Sequence, residues 1–465
     1  MNAPMKELQS STEKRASVAD LHDRLAKFGI LPLDSTLPGE TPIRTLRRSR
    51  VAEQDDNIGL ATLVEVDGVW HWQQGMATPG VAGRRARRGD FITIFGGSPY
   101  TTVKYERLGI NQIAGKLEDF DRGFNEEVAR ATKNNEKNPG LREFKDGNLI
   151  PESTPVQSGR ILIFIHGTFS NNDNLFKEMN EIDEGKALLG DLLKQANGKA
   201  LNYDQILTFD HYTLSRSPVL NALDLARIMS SSNADVDIVC HSRGGLIARW
   251  FMEVFDRVPR KRRRVIFVGS PLRGTSLAAP DRVRAGIDLF ASIGQTIGTG
   301  LSLIPFAEVA GCLMQIAFSV GKIVSKTPLV DASVAMIPGL AAMSRVSNNF
   351  ELDALRDCPS GSSQYYAITG VFRPKDVGWK FWQAFCDFGP RVAKAADNLV
   401  FRDSDGVPCS NDLVVDTKSM TEYGFPATLS SDSVYTFGEN DHVYHTIYFR
   451  QPGTIQFLRK SLQIG

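Results

Sequence analysis

The chain is poor in cysteine: five of its 465 residues, at positions 240, 312, 358, 386 and 409, with no C-x-x-C pair among them. So sparse and odd-numbered a set excludes a disulfide framework and a cysteine metal site, and reads as reduced thiols. Excess charge is missing as well. Lys and Arg number 54 against 53 Asp and Glu, a formal balance of +1. Nothing in it calls for nucleic acid. Residues 1–30 are charged throughout and carry no apolar run. A secretory signal is therefore not expected, and a cytoplasmic location is. No cofactor or metal is implied. What the chain does have is length enough for two or three domains and 42% hydrophobic residues, sufficient for a large core.

The densest signal is Val236-Asp237-Ile238-Val239-Cys240-His241-Ser242-Arg243-Gly244-Gly245-Leu246. An apolar strand turns sharply onto a serine, and Leu246, Ile247, Trp250, Phe251 and Val254 then follow at helical spacing. A serine on such a turn needs small residues two places before and two places after it, because the chain nearly touches itself there. Cys240 and Gly244 meet that need. This is the pattern of a nucleophile elbow, with Cys where Gly is usual at the first position.

A second strand supplies the complement. Arg160 to Ile165 is a near-continuous apolar run ending in His166-Gly167-Thr168-Phe169, as expected of a strand buried on both faces of a parallel sheet. Acyl transfer places negative charge on a carbonyl oxygen, and backbone N–H groups aimed at it stabilise the reaction by ~2.7–4 kcal/mol each. The amides of Thr168 and Arg243 are the expected oxyanion donors. Both are main-chain groups, so their side chains need take no part. His166 is expected to be structural rather than a catalytic base.

With these motifs the chain resembles an α/β-hydrolase of the lipase and esterase type, from about residue 156 to the C-terminus. The resemblance implies an α/β fold with a doubly wound, mostly parallel sheet. It assigns strands to Gln205–His211, Arg264–Pro271, Tyr365–Gly370 and Ser433–Phe437, and a closing helix to Pro452–Leu462. It also implies the triad order Ser, then acid, then His. Two histidines lie downstream, His442 and His445, and His445 is preferred because His445-Thr446-Ile447-Tyr448-Phe449 resembles the corresponding loop of lipases, with aromatics to pin it. Among carboxylates, Asp412 matches the segment after the penultimate strand best. Asp405, followed by Gly406, is its rival, and Asp416 is expected on the rim. The expected catalytic set is Ser242, Asp412 and His445.

Residues 1–150 read as a smaller β-rich module: Leu60–Val66, Val69–Trp72, Phe91–Phe95 and Thr101–Tyr105 alternate like strands, and a helix covers Ile110–Ala131. A polar linker is expected over 146–158, and the hydrolase domain over 151–465. From Leu289 to Gly321 only Glu308 is charged, but Gly294, Gly298, Gly300 and Pro305 divide the stretch. That excludes one membrane span, which needs ~20 predominantly apolar residues in an unbroken helix. Short apolar helices are expected there, either core or a cap that meets acyl chains, within an insertion of about 276–345. Two basic runs, Arg84–Arg88 and Arg260–Arg264, read first as solvated turns and second as contacts for anionic headgroups.

The expected function is a serine hydrolase cleaving lipid-like or acyl esters through an acyl-enzyme. Phospholipase, thioesterase or amidase chemistry on the same scaffold is the alternative, and a non-catalytic interaction protein the third class. The partner implied is a small-molecule or lipid ester, with peripheral membrane contact as a further reading. Oligomeric state is left open.

Overall fold

Strands that are apolar at every position need cover on both faces, and the computed structural model of the protein is built on that requirement. The structure describes residues 139–278, 337–373 and 409–464, apart from 152, 169, 197, 198, 201, 346–348, 359, 360, 362, 425 and 426, together with 23, 25, 26, 30–35, 58–66, 69–74, 98–106 and 110–131. The strand expected over 91–95, the arginine run 84–88, the apolar stretch 289–321 with its cap, Cys312, Cys386 and Asp405 lie outside the described residues.

The chain divides into two compact units. One comprises residues 1–113, 280–336 and 376–400, and the other residues 114–279, 337–375 and 401–465. Residues 114–150, expected in the N-terminal module, thus belong to the second. In the first unit, β1 (Leu31–Ser35), β2 (Ile58–Val66), β3 (Val69–Gln74) and β4 (Ser98–Glu106) form an antiparallel sheet in the order β1-β4-β2-β3.

Helix α1 (Ile110–Ala131) leads into the second unit. There follow β5 (Gly140–Lys145), β6 (Asn148–Ile150), β7 (Arg160–Ile165), α2 (Asn172–Asn180), α3 (Asp183–Leu192), the short pair β8 (Gln195–Ala196) and β9 (Lys199–Ala200), and β10 (Gln205–Asp210). The second half continues with α4 (Pro218–Met229), β11 (Asp235–His241), α5 (Gly244–Arg249) and β12 (Arg263–Val268). It closes with α6 (Pro338–Ala341), α7 (Phe350–Asp357), β13 (Gln364–Phe372), β14 (Val434–Asn440) and α8 (Pro452–Leu462).

The main sheet has eight strands in the order β14-β13-β12-β11-β7-β10-β5-β6. From β14 to β10 all pairs are parallel; β5 joins β10 antiparallel and β6 hairpins back on β5. The stretch expected as linker therefore carries β6, at three residues too short to announce itself. From β7 the chain steps outward to β10, then returns to the other side of β7 as β11. Such a reversal opens a crevice at the strands' carboxyl ends, where doubly wound sheets bind ligands. His166 ends β7 and Ser242 follows β11 there. This is the expected doubly wound, mostly parallel α/β-hydrolase sheet, and its core gathers Leu162, Phe164, Val239, Ile266, Val268 and Ile368 from four adjacent strands, with helices around them.

The run Arg260–Arg264 is not a solvated turn. Arg260 is buried, bonding Asp256 at 2.8 Å and the carbonyl of Ser232 at 3.1 Å, and Arg264 donates to the carbonyl of Ser461 at 2.7 Å. Arg262 pairs with Asp237, and only Lys261 is exposed. These side chains bolt the entry of β12 to its surroundings.

One buried carboxylate carries an unusual load. Asp121 of α1 accepts the N–H groups of Thr213, Leu214 and Ser215 and the hydroxyls of Thr213 and Ser215, at 2.6–3.2 Å. On the other side of this loop the buried Arg243 guanidinium donates to the carbonyls of Tyr212 and Arg216. The turn after β10 is thus bracketed between an anion and a cation. Asp121→Ala would leave several buried donors without acceptors, an expected loss on the order of 3 kcal/mol in folding stability. The midpoint of urea unfolding would measure it.

Candidate active site

At the end of β11 the chain turns so tightly that Ser242 takes φ +53°, in the left-handed region that side chains other than glycine rarely occupy. Its N–H is held by the carbonyl of Val268 at 2.9 Å, and its own carbonyl accepts from Gly245 N at 2.9 Å. The small neighbours are obligatory. A Cβ on Gly244 would come within 2.6 Å of the Ile165 carbonyl oxygen, and one on Gly245 within 2.5 Å of the Ser270 side chain. Beyond α5 the helix widens into a π-helix over Trp250–Phe255.

The His-Gly turn after β7 packs directly on this elbow. A Cβ on Gly167 would fall 2.7 Å from Ser242 Cβ, so Gly167 leaves no room there, and Thr168 follows immediately. The Thr168 hydroxyl donates to Met343 Sδ at 3.5 Å. His166 is buried, and burial pushes its pKa down. The ring is therefore neutral: Nε2 accepts the N–H of His211 at 3.2 Å, so Nδ1 carries the hydrogen and donates to the Gly167 carbonyl at 2.9 Å. Both nitrogens are thus spent on shaping the turn. Burial also pushes Arg243 down to about 10, which still leaves it a cation at neutral pH. Its side chain, expected to be idle, fastens the 212–216 turn.

Asp412 and His445 come together at the carboxyl ends of β13 and β14. His445 Nδ1 lies 2.8 Å from Asp412 Oδ2, and Tyr448 Oη donates to the same oxygen at 3.0 Å. Asp412 Oδ1 accepts from Val414 N at 3.1 Å and Val415 N at 2.8 Å. The backbone adds a further bond, His445 N to the Asp412 carbonyl at 3.0 Å. Asp412 and Tyr448 are wholly buried and His445 nearly so.

A second staple joins this pair to the elbow. His241, the residue before Ser242, has Nε2 2.9 Å from the carbonyl of His445, with the two ring centroids 4.8 Å apart. Burial, and then the neighbouring His445, pushes His241 down to about 3, so it stays neutral and Nε2 is the donor. Gly269, at φ +55°, completes the slot. A Cβ there would meet Tyr448 at 2.8 Å, Asp412 Oδ2 at 3.2 Å and His445 Nδ1 at 3.3 Å.

The other candidates are engaged elsewhere. His442 is exposed, with Nδ1 3.2 Å from Asp441. Asp416 is not on the rim: it is 1% exposed, accepts from Ser276 N and Oγ at 2.9 and 3.0 Å, and pairs with Arg345 at 3.3 Å. Both ends of the 276–345 insertion are thereby clamped to the loop that carries Asp412. Sequence reasoning missed the Tyr448 hydroxyl and Asp121. The first had a visible signal in its place three residues after His445; the second, on a helix far upstream, had none.

A parallel sheet reversing direction at β7, with a serine elbow and a buried Asp-His pair at its carboxyl edge, defines a protein of the α/β-hydrolase fold. The chain belongs to the family described as Domain of unknown function (DUF7379), which matches residues 129–463. No curated protein matches its sequence. Solved structures similar to it include the mature lipase BlEst2 of Bacillus licheniformis, at 15% identity over 71% of this chain and 100% of that one, with a TM-score of 0.36. Lipase 1 of Pelosinus fermentans is similar at 11% identity over 66% and 98% of the two chains, with a TM-score of 0.41.

Proposed function

We propose that the protein is a serine hydrolase that cleaves carboxylic esters by way of an acyl-enzyme, with Ser242 as nucleophile, His445 as general base and Asp412 as its acid partner. The observation that carries the reading is the buried 2.8 Å contact between His445 Nδ1 and Asp412 Oδ2, tied to His241, the residue preceding a strained serine. With Nδ1–H given to the carboxylate, Nε2 is the basic nitrogen, the tautomer that proton abstraction from a serine hydroxyl requires. The imidazole takes the Ser242 proton as Oγ attacks the ester carbonyl, then returns it to the leaving alcohol. A water activated by the same nitrogen resolves the acyl-enzyme.

The amides of Thr168 and Arg243 are the proposed oxyanion donors. Their support is the contact of Gly167 with the elbow and the rigid anchoring of Arg243 through its own side chain. An acyl or lipid-like substrate is proposed on the apolar composition of 289–321, which offers chain-length selectivity at ~0.8 kcal/mol per buried CH₂. The test is a fluorophosphonate probe, which should add once to the protein, at Ser242, by mass spectrometry, together with turnover of a panel of p-nitrophenyl esters. No adduct and no ester turnover would end the reading. His442→Ala should leave turnover within about two-fold, because its ring is exposed and, among the described residues, pairs with Asp441; a large loss would move the base to that residue.

A further inference from the structure

Asp412 has no free acceptor position. A carboxylate offers about four lone-pair sites. Here two go to backbone N–H groups on Oδ1, and two to His445 and Tyr448 on Oδ2. The Tyr448 ring is locked into that arrangement from two sides. Gly269 allows its edge to approach, and a Cβ on Gly370 would lie 2.9 Å from its hydroxyl oxygen. No bulkier residue at 269 or 370 would admit the phenol without a shift. Buried phenols of this size need a hydrogen-bond partner, and Tyr203 and Tyr365 find theirs in Asp237 and Glu253, neither of them in the proposed triad. This one is aimed at the oxygen that holds the base.

We infer that Tyr448 is a positioning residue for the proposed reaction, one that acts through Asp412 by sharing Oδ2 with His445 and so sets both the aim and the basicity of the imidazole. The inference rests on the Ser242–His445–Asp412 reading. Its physics is direct. A donor on Oδ2 draws off part of the negative charge that faces the imidazolium, so taking that donor away favours the protonated ring. It also fixes the carboxylate plane, and with it the direction of the His445 Nδ1–H bond. Burial and the adjoining Asp412 push the Tyr448 phenol well above its ordinary range, so it remains a donor throughout. Among the described residues the other titratable group seen against the pair is His241, and burial keeps it neutral down to about 3.

Tyr448→Phe removes the hydroxyl and keeps the ring, so packing against Gly269 is conserved. Two readouts separate positioning from packing. The first is the midpoint of the His445 ring resonances in an NMR titration; the second is the acid limb of the pH–rate profile on a p-nitrophenyl ester. Both are expected to move to higher pH by about 0.5–1 unit, while kcat falls about ten-fold near neutrality and KM stays within about two-fold. Site-specific 3-fluorotyrosine at 448, a stronger donor, should move both midpoints the opposite way, and this arm stands if the Phe variant does not fold. A folded Tyr448→Phe protein with unmoved midpoints and kcat within two-fold of the parent, or a fluorotyrosine protein with no shift, overturns the inference. Loss of all ester turnover and labelling in the parent protein would instead overturn the hydrolase reading, and the NMR arm would still decide whether Tyr448 controls the pair.

Discussion

Ser242→Ala is expected to abolish fluorophosphonate labelling and to lower ester turnover by about 10⁴–10⁶-fold, while circular dichroism and thermal unfolding stay close to the parent. The variant deletes one hydroxyl from a turn whose neighbours, Gly167, Gly244 and Gly245, are unaffected by it. Residual catalysis would come from the oxyanion donors and binding alone. The backbone adds an independent expectation. Ser242 holds φ +53°, a conformation that costs a side-chain-bearing residue ~1–2 kcal/mol and glycine almost nothing. Ser242→Gly should therefore be as inactive as the alanine variant but more stable than the parent by about 1 kcal/mol in urea unfolding. Strain retained at a position where glycine would relieve it is what a nucleophile held out for attack requires. An active Ser242→Ala protein would remove Ser242 from the chemistry.

The parts of this arrangement that were legible in the sequence share one property: their cause is local. Continuous apolar runs at Arg160–Ile165, Gln205–His211 and Arg264–Pro271 read as covered strands; the first two form within a residue of expectation, and the third, β12, runs Arg263–Val268 and stops short of Pro271. The elbow was legible because the turn imposes its own small neighbours. His445 was preferred for the aromatics that follow it, and Tyr448 does pack beneath the ring. What failed depends on partners far along the chain. Arg264 meets Ser461, 197 residues away, so a run of basic residues that looks solvated is in fact bonded inward. Asp416 was expected on the rim, yet Ser276 and Arg345, at the two ends of a long insertion, draw it into the interior. β6 has three residues and takes its register from the neighbouring β5, so it was lost among the polar residues that flank it. Cys240 tells the same story in reverse: its place in the elbow was predictable, and its full burial, which pushes the thiol up, leaves it inert beside the nucleophile.

The same contrast between the two loop carboxylates makes the next result decisive. Asp412→Asn is expected to reduce kcat by ~10⁴-fold with KM little changed, the size of effect that the corresponding amide produces in a serine protease. The amide keeps the shape of the carboxylate, and Val414 N and Val415 N can still donate to its oxygen. If that oxygen stays on the Oδ1 side, an NH₂ group replaces Oδ2, and it confronts both the Nδ1–H of His445 and the hydroxyl of Tyr448 with another donor. The imidazole must then shift its hydrogen to Nε2 to accept from the amide, and Nε2 ceases to be a base. If the amide flips instead, two backbone donors lose their acceptor, and the 411–416 loop is destabilised by an amount on the order of 1–3 kcal/mol. Either way the pair is broken, and the two routes are told apart by thermal unfolding: unchanged in the first case, lowered in the second. Asp416→Asn should behave differently, losing its ion pair with Arg345 and with it stability, while turnover per folded molecule stays within about ten-fold. Asp405→Asn provides the remaining arm. Equal, small losses at 412 and 405 would mean that the base is oriented by some other carboxylate, whereas a full loss confined to Asp412 would fix the proton's path through His445 alone.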